Sequence, residues 1–93
     1  MRVTVEFFGI PRQRAGCATL EFSLEEHRTS ATLGEILEVL AEQLPRFAQD
    51  CLIENRLRAG YIANISGQRF ITDPATVITE GETLLILSAD AGG

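Results

Sequence analysis

One amphipathic helix is the feature that most restricts how this 93-residue chain can fold. Thr32 and Glu35 stand at the spacing of a capping box, in which each side chain accepts a hydrogen bond from the other residue's backbone amide. Pro45 predicts the helix end, because its ring clashes with the preceding turn. The apolar positions between these signals recur at helical spacing and form one stripe, made of Leu33, Ile36, Leu37, Leu40, Ala41 and Leu44. A single helix with one apolar face favours a fold in which it covers one face of a sheet.

Two alternating segments before the helix predict strands. Arg2 to Phe8 places its odd-numbered apolar residues on one face and leaves Phe8 on the other. Ala18 to Leu24 alternates in the same way. Residues 9–16 contain glycine and proline and predict a connecting loop, so the two strands form an N-terminal hairpin.

The segments after the helix predict three more strands. Residues 46–58 show no clear pattern beyond a short helical turn around Phe47 to Leu52. Tyr61 to Ile65 and Arg69 to Ile71 predict a hairpin, and Thr83 to Ser88 predicts the last strand. This last strand has four apolar residues in a row without alternation, which predicts a central strand covered on both faces.

The order of these elements, strand, strand, helix, strand, strand, strand, predicts the fold. A central last strand beside the first strand runs parallel to it and is reached by a crossover that contains the helix. This is an α+β fold of the β-grasp (ubiquitin-like) type, a mixed sheet of four to five strands that holds one main helix. We expect one domain, residues 1–88, followed by a flexible C-terminal Gly-Gly tail, residues 89–93.

Composition and charge exclude several classes of function. The net charge of −5 argues against nucleic-acid binding, which needs clustered cations, and suits a basic protein partner. No segment approaches the roughly 18 consecutive apolar residues that a membrane span needs. The alternating pattern begins at Met1, which leaves no room for a signal peptide, so we expect a cytoplasmic protein. All eight cations are arginine, so the chain offers no side-chain amine for isopeptide attachment.

The sequence shows no pattern of catalytic or metal-ligating residues. Cys17 and Cys51 are far apart, and His27, the single histidine, lies in a polar stretch. Their spacing fits neither a zinc site nor a Cys/His catalytic pair. A Gly-rich phosphate loop and a nucleophile elbow are also absent. We therefore expect no catalytic residue, no metal and no cofactor held by this chain, and we interpret both cysteines as structural.

The C-terminal Gly92-Gly93 pair is the remaining candidate site. It lies a few residues beyond Ser88, the predicted end of the last strand. Glycine has no Cβ, so a tail that ends in two glycines fits a narrow channel and can carry its terminal carboxylate into a partner's active site. The alternative is a disordered terminus without function.

These features together resemble the MoaD/ThiS family of ubiquitin-like sulfur carriers, over the whole chain. The matching motifs are the strand end Val5-Glu6-Phe7-Phe8-Gly9, Arg12, the single helix, Glu80-Gly81-Glu82 and the terminal Ala91-Gly92-Gly93. The chain is similar both to molybdopterin synthase small subunits and, between Gln68 and Leu87, to carriers for cysteine synthesis. It departs from the former at Gln13, where they commonly carry an acidic residue, and in a tail without proline or valine. The acceptor pathway therefore stays open.

The resemblance implies a carrier that is a co-substrate, or the small subunit of a synthase complex, rather than an enzyme. A ubiquitin-activating-type enzyme would use ATP to adenylate the carboxylate of Gly93, with Gly92 as the spacer that fits its channel. Sulfur from a donor such as a persulfide enzyme would then replace AMP and give a thiocarboxylate. An acceptor synthase subunit would receive this sulfur, for molybdopterin in the first place, or for cysteine or another sulfur metabolite. The resemblance also implies a partner-binding surface on the sheet face away from the helix, with the candidates Phe8, Leu87, Phe70 and Arg12.

Two other functions fit the same pattern. The first is a ubiquitin-like protein modifier that is joined through Gly93 to lysines of other proteins. Because this chain has no lysine, it predicts single attachments rather than side-chain-linked chains. The second is a non-catalytic β-grasp interaction module whose tail has no role, and it predicts that removing Gly92-Gly93 leaves function intact.

Overall fold

The computed structural model describes residues 1–92, and its elements follow the order expected from the sequence, with additions. The elements of the first half are β1 (Arg2–Phe7), α1 (Ile10–Ala15), β2 (Thr19–Ser23), β3 (Ser30–Thr32), α2 (Leu33–Gln43) and α3 (Pro45–Cys51). Those of the second half are β4 (Leu52–Ile53), β5 (Arg56–Leu57), β6 (Tyr61–Ile65), β7 (Arg69–Ile71), β8 (Val77–Thr79), β9 (Thr83–Ser88) and α4 (Ala89–Gly92). None of the helices described over residues 1–92 has the length and apolarity that crossing a bilayer demands.

The main sheet has five strands in the order β2-β1-β9-β6-β7. Its central strand, β9, runs parallel to β1, from the pair Thr4–Thr83 to the pair Phe7–Ile86. The other three pairings are antiparallel. The sheet is therefore mixed, and the last strand of the chain lies at its centre beside the first, as the order of elements predicted. The β-grasp fold is confirmed.

One face of this sheet and the apolar stripe of α2 share a single core. The buried residues of α2 are Leu33, Ile36, Leu37 and Leu40, and those of the sheet include Val3, Val5, Phe7, Ala63, Ile65, Leu84 and Ile86. In α3, the ring of Phe47 meets that of Phe7 edge to face, with the ring centroids 5.2 Å apart. Burial of each large apolar side chain stabilises the fold by about 1.5–3 kcal/mol, so this face of the sheet contributes strongly to stability.

The start of α2 has the predicted capping box. The backbone amide of Glu35 donates to Thr32 Oγ1 over 3.1 Å, and the amide of Thr32 donates to Glu35 Oε1 over 3.0 Å. Arg28 adds a 2.8 Å ion pair with the same carboxylate. The hydrogen bond from Arg28, followed by that from the Thr32 amide, lowers the pKa of Glu35 to about 2. Pro45 ends the helix as predicted and begins α3.

The expected loop at residues 9–16 is wrong, because the structure has a helix there. Pro11 lies in the first turn of α1, where its missing amide hydrogen is not needed. Gly16 ends the helix in the left-handed conformation, with φ at 75°, and its amide donates to the carbonyl of Arg12. The proline and glycine that predicted a loop therefore mark the two ends of a short helix.

The last strand also differs from its prediction, because only one of its faces is covered. Leu84 and Ile86 are fully buried in the core, whereas Leu85 and Leu87 on the opposite face are only partly buried. The expectation that β9 is covered on both faces is therefore wrong. The apolar run extends over a face that residues 1–92 leave partly open.

Candidate functional site

Five apolar side chains lie on or beside the open face of the sheet, and we call them the outer patch: Phe8, Ile62, Phe70, Leu85 and Leu87. Leu87 pairs with Ile62 across the strands, and Phe70 and Leu85 both pair with Asn64. Phe8 follows the end of β1, and its amide donates to the carbonyl of Ile86 over 3.0 Å. The side chains of Phe8 and Phe70 are 42% and 52% exposed. Exposed aromatic rings beside partly buried leucines are typical of a protein-binding surface.

The other half of the same face is polar. On β2 and β1 the residues of this face are Thr19, Glu21, Thr4 and Glu6, and Arg2 at the start of β1 forms a 3.0 Å ion pair with Glu21. The outer patch is therefore confined to the half of the sheet formed by β9, β6 and β7 and to the end of β1. A partner that docks on it meets apolar side chains at the centre and carboxylates on one side.

Gly9 fixes the position of Phe8 relative to the last strand. Its backbone has φ at 61° and ψ at −130°, a conformation that residues with a side chain rarely adopt. An added Cβ at Gly9 would stand 3.7 Å from Ser88 Oγ, so the chain here runs close to the end of β9. Ile10, the next residue, is 44% exposed. Phe8 is therefore held beside the point where the C-terminal tail leaves the sheet.

The root of the tail is fixed by hydrogen bonds to β6. Ser88 pairs with Tyr61, and the amide of Ala89 donates to the carbonyl of Gly60 over 2.8 Å. Beyond this point Ala89–Gly92 forms one helical turn, α4. Gly93, the predicted activated residue, lies outside the described residues. The flexibility of residues 89–93 and the roles of Gly92 and Gly93 stay predictions.

The four predicted contact residues do not all lie together. Phe8 and Leu87 lie at the end of the sheet from which the tail leaves, and Phe70 lies on the edge strand β7. Arg12 is exposed on α1, which packs against α3 and β9, and belongs to none of the strands that carry the outer patch. The structure therefore groups Phe8 with Leu87, and partner contact by any of the four stays a prediction.

Sequence reasoning missed Asn64. It is a polar residue inside the apolar strand β6, which is the signal that could have revealed it. It faces away from the core, between Leu85 and Phe70, yet it is only 5% exposed. Its Oδ1 has no hydrogen-bond donor within the described part of the chain. Such groups are uncommon in folded proteins.

The surroundings of the two cysteines do not favour a reactive thiol. Cys51 is fully buried, and this burial raises the pKa of its thiol, against the opposing effect of a hydrogen bond with Tyr61. A protonated, inaccessible thiol is a poor nucleophile. Cys17 is partly buried and packs against the core. Both positions fit the structural role expected from the sequence.

Comparison with known proteins identifies the fold. No protein-family model and no curated protein matches the chain. Among solved structures, SAMP1, a small archaeal modifier protein of Haloferax volcanii, aligns over 100% of both chains with a TM-score of 0.79 and 17% identity. The HVO 2177 protein of the same organism aligns with a TM-score of 0.74 and 20% identity, over 100% of this chain and 87% of that one.

A Pyrococcus furiosus protein assigned as molybdopterin converting factor subunit 1 aligns with a TM-score of 0.68 and 19% identity, over 95% of this chain and 97% of that one. At these identities the likeness shows a common fold, and function has to be argued from the site. The chain has the ubiquitin-like β-grasp fold, shared with a modifier and with a protein assigned to molybdopterin conversion.

Proposed function

We propose that the chain is a ubiquitin-like sulfur carrier that is activated at Gly93 by a ubiquitin-activating-type adenylating enzyme. The observation that carries this proposal is the position of the Gly92-Gly93 pair. In the sequence it ends the tail that begins at Ala89, directly after the central strand β9. Phe8 and Ile10, near the end of the neighbouring strand β1, are both exposed. A partner that docks on Phe8 and Leu87 thereby receives the tail in its active site.

The chemistry requires that the carrier presents the carboxylate and that the enzyme activates it. A free carboxylate is a poor electrophile, because its charge repels nucleophiles and its oxygen is a poor leaving group. Transfer of AMP from ATP to the Gly93 carboxylate releases pyrophosphate and gives an acyl phosphate with a good leaving group. The outer sulfur of a persulfide donor then attacks the acyl carbon and displaces AMP, which gives an acyl disulfide between carrier and donor. A second thiol of the donor or of the enzyme attacks the donor's sulfur, forms a new disulfide with it and releases the tethered thiocarboxylate. The carrier supplies recognition and presentation, and the enzyme supplies catalysis.

The acceptor in this proposal is a synthase subunit, and molybdopterin synthesis is our first choice. The similarity of fold to the Pyrococcus furiosus protein supports this choice. Cysteine or another sulfur metabolite is the alternative product. The carrier itself holds no cofactor and acts as co-substrate, and ATP is used by its partner.

ATP–pyrophosphate exchange by the adenylating enzyme of the same host tests activation. The chain should stimulate exchange, and Gly92→Val should abolish it, because a branched side chain next to the reacting residue clashes in a narrow channel. Asp90→Val, two residues earlier in the same tail, is the matched control and should keep most of the activity. Both variants should unfold at the wild-type temperature. Normal exchange with Gly92→Val would refute the channel argument.

The second candidate function is conjugation to other proteins through Gly93. The observation that favours it is the full-length structural match to a protein named as a modifier. In host extracts it predicts a set of higher-mass species that carry this chain and vanish when Gly93 is deleted. A binding module with an idle tail, in contrast, would keep its partner after loss of Gly92-Gly93.

A further inference from the structure

One row of side chains crosses the open face of the sheet from strand to strand. The register aligns Glu6 of β1 with Leu85 of β9, and Leu85 with Asn64 of β6. Because neighbouring strands are about 4.8 Å apart, the Cα atoms of Glu6 and Asn64 stand about 10 Å apart, with Leu85 between them. The row therefore consists of two oxygen-bearing side chains on either side of one apolar side chain.

Both ends of this row carry an acceptor without a partner. Asn64 Oδ1 is buried and receives no hydrogen bond from residues 1–92. Glu6 is partly buried, and no ion pair or hydrogen bond to its carboxylate exists within the same part of the chain. Glu21, on the same face, is instead paired with Arg2. Burial of Asn64 Oδ1 without a donor is unfavourable, so this atom favours a donor from outside the chain. The partly exposed carboxylate of Glu6 is free to accept one as well.

Glu6 and Leu85 of this row line a shallow depression of about 310 Å³, together with Ser66, Gly67 and Thr83. Two of the backbone amides in its lining already have partners. The amide of Ser66 donates to the carbonyl of Thr83 over 2.7 Å, and the amide of Thr83 donates to Ser66 Oγ over 3.0 Å. The row therefore offers two acceptors to a donor from outside the chain, the Glu6 carboxylate beside the depression and Asn64 Oδ1.

We propose that Glu6, Leu85 and Asn64 form a recognition site for one arginine side chain of the adenylating enzyme, an inference that rests on the proposed function. A guanidinium group is planar, weakly hydrated and carries five N–H donors, so it can lie on Leu85 and donate to both ends of the row. A lysine ammonium is a compact, strongly hydrated charge and fits this shape less well. The net charge of −5 favours the approach of such a cationic surface.

Phe70 controls access to Asn64 in this arrangement. It pairs directly with Asn64, is 52% exposed and lies on β7, which is an edge of the sheet. In this proposal the exposed ring turns toward solvent and thereby admits the guanidinium to Oδ1. The site therefore also explains why an exposed phenylalanine stands beside a buried amide.

Asn64→Leu separates this proposal from a structural role for Asn64. The substitution removes the unpaired amide and keeps a similar volume, so the variant should unfold at the wild-type temperature or above. Its Kd for the host's adenylating enzyme, measured by titration calorimetry, should rise about tenfold or more, because a hydrogen bond to a charged donor is lost. A lower unfolding temperature with an unchanged Kd would overturn the proposal.

Glu6→Gln tests the other end of the row, with Glu21→Gln as the matched control on the same face. Glu6→Gln should weaken binding several-fold at low salt, and the difference should shrink at high salt. Glu21→Gln should leave the Kd unchanged. Because one arginine contacts both ends, the losses in the double variant Glu6→Gln/Asn64→Leu should not be additive. Additive losses would contradict a shared arginine.

Measurements of binding and of exchange activity distinguish a wrong arginine site from a wrong carrier proposal. Exchange activity with wild-type Kd in both single variants overturns the arginine site alone. Tight binding without exchange overturns the carrier proposal and leaves the site. Absence of both binding and exchange overturns both. Self-association in sedimentation experiments that Asn64→Leu abolishes would assign the row to a second copy of the chain and overturn its assignment to the enzyme.

Discussion

The two faces of β9 differ in their surroundings although their side chains are equally apolar. Leu84 and Ile86 are fully buried beneath α2 and α3, whereas Leu85 and Leu87, the neighbours in sequence, are partly open. Burial of Leu84 and Ile86 on the first face stabilises the fold. On the second face, Leu85 and Leu87 are only partly buried and gain less from folding, so an apolar surface here is better explained by a partner. One hydrophobic strand can thus supply core residues on one face and partner-binding residues on the other.

The largest expected effect is a contrast between neighbours in the same strand. Ile86→Ala should lower the free energy of unfolding by about 2–5 kcal/mol, because it leaves a cavity in a fully packed core. Leu87→Ala, its matched control one residue away, should lower it by about 1 kcal/mol or less, since the site is already partly open. Urea unfolding of both variants measures the difference. Equal losses of unfolding free energy in the two variants would show that Ile86 and Leu87 contribute equally to stability. That result would contradict the difference between the two faces.

Phe8→Ala should weaken partner binding strongly and lower stability only slightly. The ring is 42% exposed, so its loss should lower the free energy of unfolding by about 1 kcal/mol or less. If Phe8 anchors the partner, the Kd for the adenylating enzyme should rise tenfold or more. Val77→Ala is a suitable control, because Val77 is 49% exposed but lies on β8, outside the main sheet. A large fall in stability with unchanged affinity would show that Phe8 serves the fold.

Glu35 provides a smaller, pH-dependent test of the covered side of the sheet. Its folded-state pKa of about 2 lies below the ordinary 4.5, mainly through Arg28, so the carboxylate stabilises the fold above pH 4.5. This contribution is lost as the pH falls from 4.5 toward 2. Glu35→Gln should therefore lower stability by about 0.5–1 kcal/mol at pH 7, a modest value because the ion pair is partly exposed.

The pH dependence itself is the decisive part of that prediction. Unfolding curves of wild type and Glu35→Gln should converge between pH 4.5 and pH 2. Glu38→Gln, on the exposed side of the same helix, is the control and should follow the wild type at every pH. A constant difference between wild type and Glu35→Gln over this range would contradict the assigned ion pair.

The smallest expected effect lies in the β4–β5 hairpin, away from both faces of β9. Glu54 and Asn55 form its two-residue turn with φ at 51° and 59°. Asparagine accepts this left-handed conformation more readily than glutamate does. Glu54→Gly should therefore stabilise the protein by roughly 0.5 kcal/mol in thermal unfolding, because relief of the left-handed strain slightly exceeds the entropy cost of glycine, whereas Glu80→Gly should not. A loss of stability in Glu54→Gly would mean that its side chain makes a stabilising contact.

The parts of the fold that the sequence predicted well are those with strong local signals. The capping box and Pro45 located α2, and the hairpin of β6 and β7 was predicted with its observed bounds. The pairing of β3 with β8 was missed, because each strand has three residues and depends on a partner more than 40 positions away. Helix α1 was missed because its proline and glycine were interpreted as loop residues.

The candidate site was predictable only in part, for a physical reason. Phe8 stood out because it breaks the alternation of β1, and the structure finds it exposed. Leu85 and Leu87 could not be separated from Leu84 and Ile86 by hydrophobicity alone, since exposure depends on which face the helices cover. The unpaired state of Asn64 Oδ1 depends on neighbours from two other strands and requires the assembled sheet.

The most direct test of the central claim is the intact mass of the chain isolated from its native host, compared with a variant that lacks Gly93. The carrier proposal predicts a fraction of the chain whose mass is raised by replacement of one oxygen by sulfur, and this fraction must be absent from the variant. Unchanged mass in cells that contain an active adenylating enzyme and sulfur donor would contradict the carrier role. It would favour a modifier or a binding module whose tail has no part in the function.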